Sequence, residues 1–423
     1  MLRKYNVDEF KKCILLDNSL NNLDIENVVK EICSNVRENG DKAIRNYTKE
    51  FDGIVLDSFL VTDKEVDTAY KLVSDKWLIA LRNAIKNIKQ FHVKQVRSNW
   101  FETLPNGVVR GKLVNPIEKI GVYVPGGKAS YPSSVLMGVI PAIVAGASEI
   151  SIVTPPNKEG VVSPETLVAA KELSIEKIYK IGGAQAIAAL AYGSESVKKV
   201  DKIVGPGNIY VTYAKKEVYG TVGIDMLAGP SEVCVYCDDS ANPKYVAADL
   251  LSQAEHDPLA RILMISKSDE MANLVVKELG EQISELPKRE IAKQSINKGA
   301  YLIIKDEDIA IDIINDFAPE HLELAVNNPF ELLAKIKNAG SIFLGHYAAE
   351  SLGDYYAGVN HVLPTSGTSK FSSSLGVDDF IKQSEILYYP KEATLADGKD
   401  VILLAESEGL SAHANAIRVR IND

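Results

Sequence analysis

The sequence predicts an α/β protein made of two parallel-sheet units with a helical tail at the C-terminal end. Three observations predict it. Short apolar runs alternate with helix-length segments between Lys119 and Val218, the alternation resumes between Ser231 and Leu344, and Pro or Gly closes many of the runs. Strands that alternate with helices imply parallel sheets covered by helices on both faces.

The elements follow in order. Asn22 to Val36 places Leu23, Ile25, Val28, Val29, Ile32 and Val36 at helical spacing, and Asp63 to Val96 continues in that style. Ile120-Gly121-Val122-Tyr123-Val124 is a short strand stopped by Pro125-Gly126-Gly127. Ser133-Ser134 opens a helix to Ala147, and Ile150 to Val153 is the next strand. Helix 164–173, strand 177–181, helix 184–192, strand 201–204 and helix 208–218 complete the first unit. Ser231 to Cys237 begins the second. Asn242-Pro243 opens a helix that ends near His256, Ile262 to Ile265 is a strand, and the alternation runs on to Ile342-Phe343-Leu344. The tail beyond about 376 holds an apolar segment at 401–405 and a last segment from Ser411 to Val419.

Composition narrows the function. At 423 residues the chain favours two to four domains of roughly 100–200 residues each. A net charge of −10 with no basic stripe argues against nucleic acid and against an anionic membrane surface. Four cysteines make no disulfide framework, and no apolar signal core follows Met1, so a reducing, cytoplasmic setting is expected. The apolar stretch from Val135 to Ala147 is too short to span a bilayer.

Six histidines leave few candidates for acid–base or metal chemistry. Gln253 and His256 share a helix face, where amide oxygen and imidazole suit a metal or simply a polar helix end. Asp354, between Gly353 and Gly358, reads as a turn carboxylate, and His361 lies in a loop before a strand. Glu408 and His413 could meet one ligand only if a helix starts between them, which Gly409 permits. Pro319-Glu320-His321 reads as a helix start, where the dipole would lower an imidazole pKa and keep it a neutral base. Cys234-Val235-Tyr236-Cys237 sits on a strand, so its thiols face opposite ways and cannot share a metal. Val124-Pro125-Gly126-Gly127, Gly182-Gly183-Ala184-Gln185 and Gly205-Pro206-Gly207-Asn208 all join strand to helix, where phosphates bind, but none matches the GxGxxG fingerprint.

Taken together and in this order, these segments resemble the histidinol dehydrogenase family. The diagnostic stretches run from Gly121–Gly127 through Gly182–Ala186, Val204–Asn208, Ala228–Glu232, Gln253–His256 and Ala318–Leu322 to Asn360–Thr365. The resemblance implies oxidation of L-histidinol to L-histidine through an aldehyde, with two NAD per turnover and one zinc per subunit. It implies Gln253, His256, Asp354 and His413 as zinc ligands, with Glu320 and His321 as the acid/base pair. Ser231, His361 and Glu408 would join these in contacting substrate, while Tyr123, Gln185 and Asn208 would hold NAD. It implies two Rossmann-like domains in an intertwined homodimer, in which the tail carries Glu408 and His413 into the partner's site. On this reading residues 1–17 form a short helical segment and 18–122 join 231–375 in one domain. Residues 123–230 form the NAD-binding domain, and 376–423 form the crossing tail. The chain departs from the family pattern at Ala348, Ala349, Val359 and Lys370, none of them a proposed ligand or base. The alternative reading is a related zinc- and NAD-dependent dehydrogenase of another small alcohol.

Overall fold

The computed structural model describes residues 1–12, 23–126 and 130–422, which leaves Gly127 of the first glycine-rich turn outside the described residues. The expected alternation becomes two parallel sheets. One has five strands in the order Lys177–Lys180, Glu149–Thr154, Lys119–Tyr123, Lys202–Val204 and Gly223–Ile224. The other has six, in the order Arg3–Lys4, Ala300–Ile303, Arg261–Ser266, Glu232–Cys237, His321–Ala325 and Ser341–Leu344. Parallel strands are covered on both faces, so they read as apolar runs without alternation. Every residue of Glu232–Cys237 is buried, with Cys234 and Cys237 in separate cores on opposite faces. Burial pushes both thiols up, Cys237 to about 12, so neither is a reactive thiolate.

The helices between the strands fall close to their expected positions. Pro132–Ala145 begins with a proline, whose missing N–H costs nothing at that position, and ends at Gly146 with φ +96°. Pro164–Glu172, Gly183–Tyr192 and Ile209–Val218 follow the other strands of the five-stranded sheet. Among the described residues, no helix is long and apolar enough to cross a membrane.

Three features differ from expectation. First, helices Leu23–Tyr47, Asp63–Leu72 and Asp75–Val93 pack on the five-stranded lobe, not on the six-stranded one. Val29, Ile32 and Val36 share a core with Ile187, Leu190 and Val211, while Val66, Leu81 and Ile88 share one with Ile140 and Leu167. The core of residues 23–93 is therefore built with 119–222, which corrects their expected grouping with 231–375.

Second, the N-terminal segment is only partly helical. Arg3–Lys4 is an edge strand beside Ala300–Ile303, and the single helical turn Val7–Phe10 buries Phe10. Residues 13–17 of the expected segment lie outside the described residues.

Third, Ile381–Tyr388 is a strand antiparallel to Val109–Pro116, which also pairs with Trp100–Thr103. Beyond it the helices Lys391–Ser407 and Ser411–Asn422 pack on one another.

Candidate active site

The carboxyl edge of the five-stranded sheet carries the residues expected to hold the nucleotide. Tyr123 ends a strand, Gln185 lies in the first turn of helix Gly183–Tyr192, and Asn208 caps helix Ile209–Val218 by accepting a hydrogen bond from the Val211 N–H at 3.1 Å. Ligands of open α/β sheets gather along this edge. Tyr123 is buried, its hydroxyl accepts the Gly183 N–H at 3.2 Å, and burial pushes its pKa up to about 12. The ring thus shapes the glycine turn from behind. Gln185 is buried with its Oε1 unpaired, whereas Asn208 is exposed.

The residues expected to form the acid–base pair lie at the opposite kind of edge, where strands of the six-stranded sheet begin. His321 opens a strand instead of the helix that Pro319 suggested. Helix Glu307–Phe317 ends at Ala318 with φ +51°, and the chain then enters the wholly buried run His321–Ala325. A proline just before a strand removes no ladder hydrogen bond, so the same residue serves either element.

That placement changes the imidazole's charge. Burial alone would lower the His321 pKa, but the carboxylates of Glu350, Glu320 and Asp354 outweigh it and raise it to about 10. The lowering expected from a helix dipole is therefore corrected to a rise. Among these carboxylates the imidazole holds its proton more tightly than an ordinary histidine.

Its two nitrogens have different surroundings. Nδ1 is 2.9 Å from Gln253 Nε2 and 3.2 Å from the Glu232 carbonyl, and Gln253 Nε2 donates to that same carbonyl at 3.0 Å. Nε2 has no hydrogen-bond partner and lies 3.7 Å from Asp354 Oδ1 and 4.0 Å from Glu350 Oε1. Glu320 accepts the Glu232 N–H at 2.9 Å, and burial raises its carboxyl to about 8. Glu320 Oε2 lies 3.8 Å from His321 Nδ1, and a buried carboxyl beside an imidazole, both shifted from their ordinary pKa values, is equipped for acid–base chemistry.

Asp354 gathers the remaining residues. Burial would raise its pKa, yet His321, His361 and His256 together hold it below the usual carboxylate range. Burial lowers the pKa of both His256 and His361, with Asp354 pulling the other way. Gln253, from helix Pro243–Ala254, is fully buried with Oε1 unpaired. Gln253, His256, His321, Asp354 and His361 thus converge from three segments spread between positions 253 and 361. Ser231 immediately precedes strand Glu232–Cys237, and its carbonyl accepts the Arg261 N–H.

Glu408 and His413 are not brought to this centre by their own chain. Helix Lys391–Ser407 ends at Glu408, Gly409 takes φ +74°, and a new helix starts at Ser411, so the required break between them is present. Both side chains are exposed on this helical pair.

Sequence reasoning missed Glu350. It is buried and pushed up to about 7 by that burial, and its position four residues before Asp354 was the available signal. His321, Glu350 and Asp354 bring three ligand atoms within 4.8 Å of one another, a second arrangement able to hold a cation. Glu323 and Asp249 stand behind Glu350. Glu323 accepts the Glu350 N–H at 3.1 Å, and burial followed by Asp249's charge raises Glu323 well above its ordinary value.

A five-stranded lobe with three glycine-rich turns and a six-stranded lobe with a buried imidazole–carboxyl pair define a two-lobed α/β protein built for proton-transfer chemistry, and comparison with known proteins places it among the oxidoreductases. The chain matches the family described as histidinol dehydrogenase over residues 16–421. It is 53% identical to the histidinol dehydrogenase of Clostridium acetobutylicum over 400 residues, covering 94% of this chain and 93% of that one. It is 52% identical to the enzyme of Streptococcus mutans, covering 96% and 95%. The crystal structure of histidinol dehydrogenase from Elizabethkingia anophelis superposes with a TM-score of 0.95 at 38% identity, covering 99% and 97%. The chain belongs to the histidinol dehydrogenase family.

Proposed function

We propose that this enzyme converts L-histidinol to L-histidine in two NAD-dependent oxidations, with zinc holding the substrate beside His321. The observation that carries this reading is the convergence of Gln253 Oε1, His256 and Asp354 around an imidazole whose Nε2 is unpartnered. Gln253 uses its amide nitrogen on the Glu232 carbonyl, which leaves its oxygen free as a ligand atom. An amide oxygen, an imidazole and a carboxylate form a donor set that suits zinc, with His413 of a second subunit as the fourth. Gln253, His256 and Asp354 would hold the zinc, which would supply positive charge there and an anchor for the nitrogen atoms of the substrate.

The protein's own groups then move the protons. A cation held by Gln253, His256 and Asp354 would offset the carboxylate charge that raises His321 and let the ring lose a proton. With the remaining proton on Nδ1 and directed at the Glu232 carbonyl, Nε2 would carry the lone pair that accepts the alcohol proton as hydride passes to NAD. Water adds to the aldehyde, and the Glu320 carboxylate takes the proton the water gives up. His321 first passes the alcohol proton to solvent; the hydrate anion then surrenders the second hydride to a second NAD, and the acid formed gives its proton to His321, leaving the carboxylate of histidine. Ser231, His361 and Glu408 orient the substrate, and Tyr123, Gln185 and Asn208 set the nucleotide. Holding these groups in place converts collisions into a single oriented encounter.

The direct test is the NADH formed from limiting L-histidinol, with and without a chelator. Two NADH per histidinol are expected, abolished by chelation and restored by zinc. One NADH would mean a reaction that stops at the aldehyde. None from zinc-loaded protein would move the substrate to another small alcohol.

Metal content separates the two cation arrangements. Gln253→Ala is expected to weaken zinc binding by at least about 10–100-fold, while Glu350→Gln retains zinc close to wild type. Zinc lost on Glu350→Gln and kept on Gln253→Ala would assign the metal to His321, Glu350 and Asp354, where it would occupy the proposed base.

A further inference from the structure

Behind the nucleotide edge lies an ion pair with no part in the proton chemistry. Lys215, on helix Ile209–Val218, is 2% exposed, and its Nζ meets Asp225 Oδ1, whose side chain has no exposure at all. Two charges so deeply buried contribute little net stability, because desolvation cancels most of their attraction. Their hydrogen bonds indicate what they do instead. Asp225 Oδ2 accepts the Gly205 N–H at 2.8 Å, and Lys215 Nζ donates to the Gly205 carbonyl at 3.1 Å. Both polar groups of one glycine are therefore held by this pair.

Gly205 itself has little freedom. Its φ is +116°, and a Cβ there would lie 2.1 Å from the Tyr123 carbonyl oxygen. It begins the turn Gly205-Pro206-Gly207-Asn208, which ends at the Asn208 cap of the helix carrying Lys215. Asp225 also begins the crossover to the other lobe. Its Oδ1 accepts the Met226 N–H at 2.6 Å, the Ala228 carbonyl accepts the Thr212 hydroxyl at 3.0 Å, and the Gly229 N–H reaches Thr365 Oγ1 at 2.6 Å. Ser231 and Glu232 of the acid–base centre follow directly.

We propose that Lys215 and Asp225 are positioning residues for the dinucleotide, a buried clamp that holds the Gly205–Asn208 turn in register with the crossover leading to Ser231. The inference rests on the nucleotide lying at this edge, as argued above. Neither side chain touches substrate. The clamp fixes the turn before the nucleotide arrives, so binding does not have to order it.

The test uses the full-length, zinc-loaded enzyme and variants Asp225→Asn and Lys215→Met. NADH affinity is read by fluorescence titration, alongside KM for NAD, KM for histidinol, zinc content and melting temperature. NADH binding is expected to weaken by about tenfold or more in both variants, since each leaves a buried charge unpaired. KM for histidinol and zinc content should stay near wild type, and Lys215→Arg should recover most of the NADH affinity. Folded variants that melt earlier but bind NADH as wild type does would reduce the pair to a structural element and overturn the proposal. Should neither variant fold, hydrogen exchange on the wild type decides. The Gly205 amide must be protected without NADH, and rapid exchange there overturns the clamp. Wild-type enzyme that binds no NADH would defeat the nucleotide assignment itself, a separate failure.

Discussion

Replacing His321 by Asn is expected to lower kcat by about 10²–10⁴-fold, the usual worth of a positioned general base. Asparagine can present an N–H to the Glu232 carbonyl, as Nδ1 does at 3.2 Å, so the local fold has a replacement partner. It has no counterpart to Nε2, the nitrogen left unpartnered beside Asp354 and Glu350. The loss should fall on kcat, with zinc content and NADH affinity unchanged, because the ligand residues and the nucleotide edge belong to other segments. Turnover within tenfold of wild type would remove His321 from the role of base and leave Glu320, raised to about 8 by burial, as the group to examine. The substitution also removes the imidazole that sits among Glu350, Glu320 and Asp354, so melting should be followed against pH. Those three carboxylates would then repel one another most above neutrality.

What could be read from the sequence follows from how much each element buries. The parallel strands are covered on both faces, and their uninterrupted apolar runs mark them plainly, as Glu232–Cys237 does. The antiparallel strands leave no such mark. Trp100–Thr103 is exposed throughout and most of Ile381–Tyr388 is exposed or half-exposed, so neither shows a buried alternating face. Ile381–Tyr388 also pairs with Val109–Pro116, more than 250 positions away. At the centre, Gln253, His256, Asp354 and His361 were each ambiguous in isolation, since a lone polar residue on a helix or turn has ordinary uses. Their shared order, through the family resemblance, singled them out, and the fold gathers them around one carboxylate. His321 shows the limit of local reasoning. Pro319 is compatible with a helix start and with a strand entrance, and only the central position of His321–Ala325 in the six-stranded sheet decides between them. The direction of its pKa followed the same path, because the carboxylates that raise it include Glu350, which no local motif connects to position 321.

Two inactive variants are expected to restore activity when they are mixed. Glu408 and His413 sit on a helical pair whose large apolar side chains face solvent, with Leu403 65% and Leu404 68% exposed. Nearby Leu387 and Tyr388, with Trp100 and Phe101 on the same antiparallel sheet, are also exposed. An apolar surface of this extent is characteristic of a protein interface. If the tail serves the partner's site, each centre combines His321 of one chain with His413 of the other. A dimer of His321→Asn with His413→Asn then holds one centre with both lesions and one with neither. Random re-pairing of equal amounts makes half the dimers mixed, so about a quarter of the wild-type sites should be intact. The two variants, each inactive alone, should be unfolded together, refolded with zinc and assayed for NADH from histidinol. Recovery near that level requires a shared site. No recovery, from dimers shown to have exchanged subunits, would mean that each tail folds back onto its own lobe. In that case the exposed leucines would need another partner.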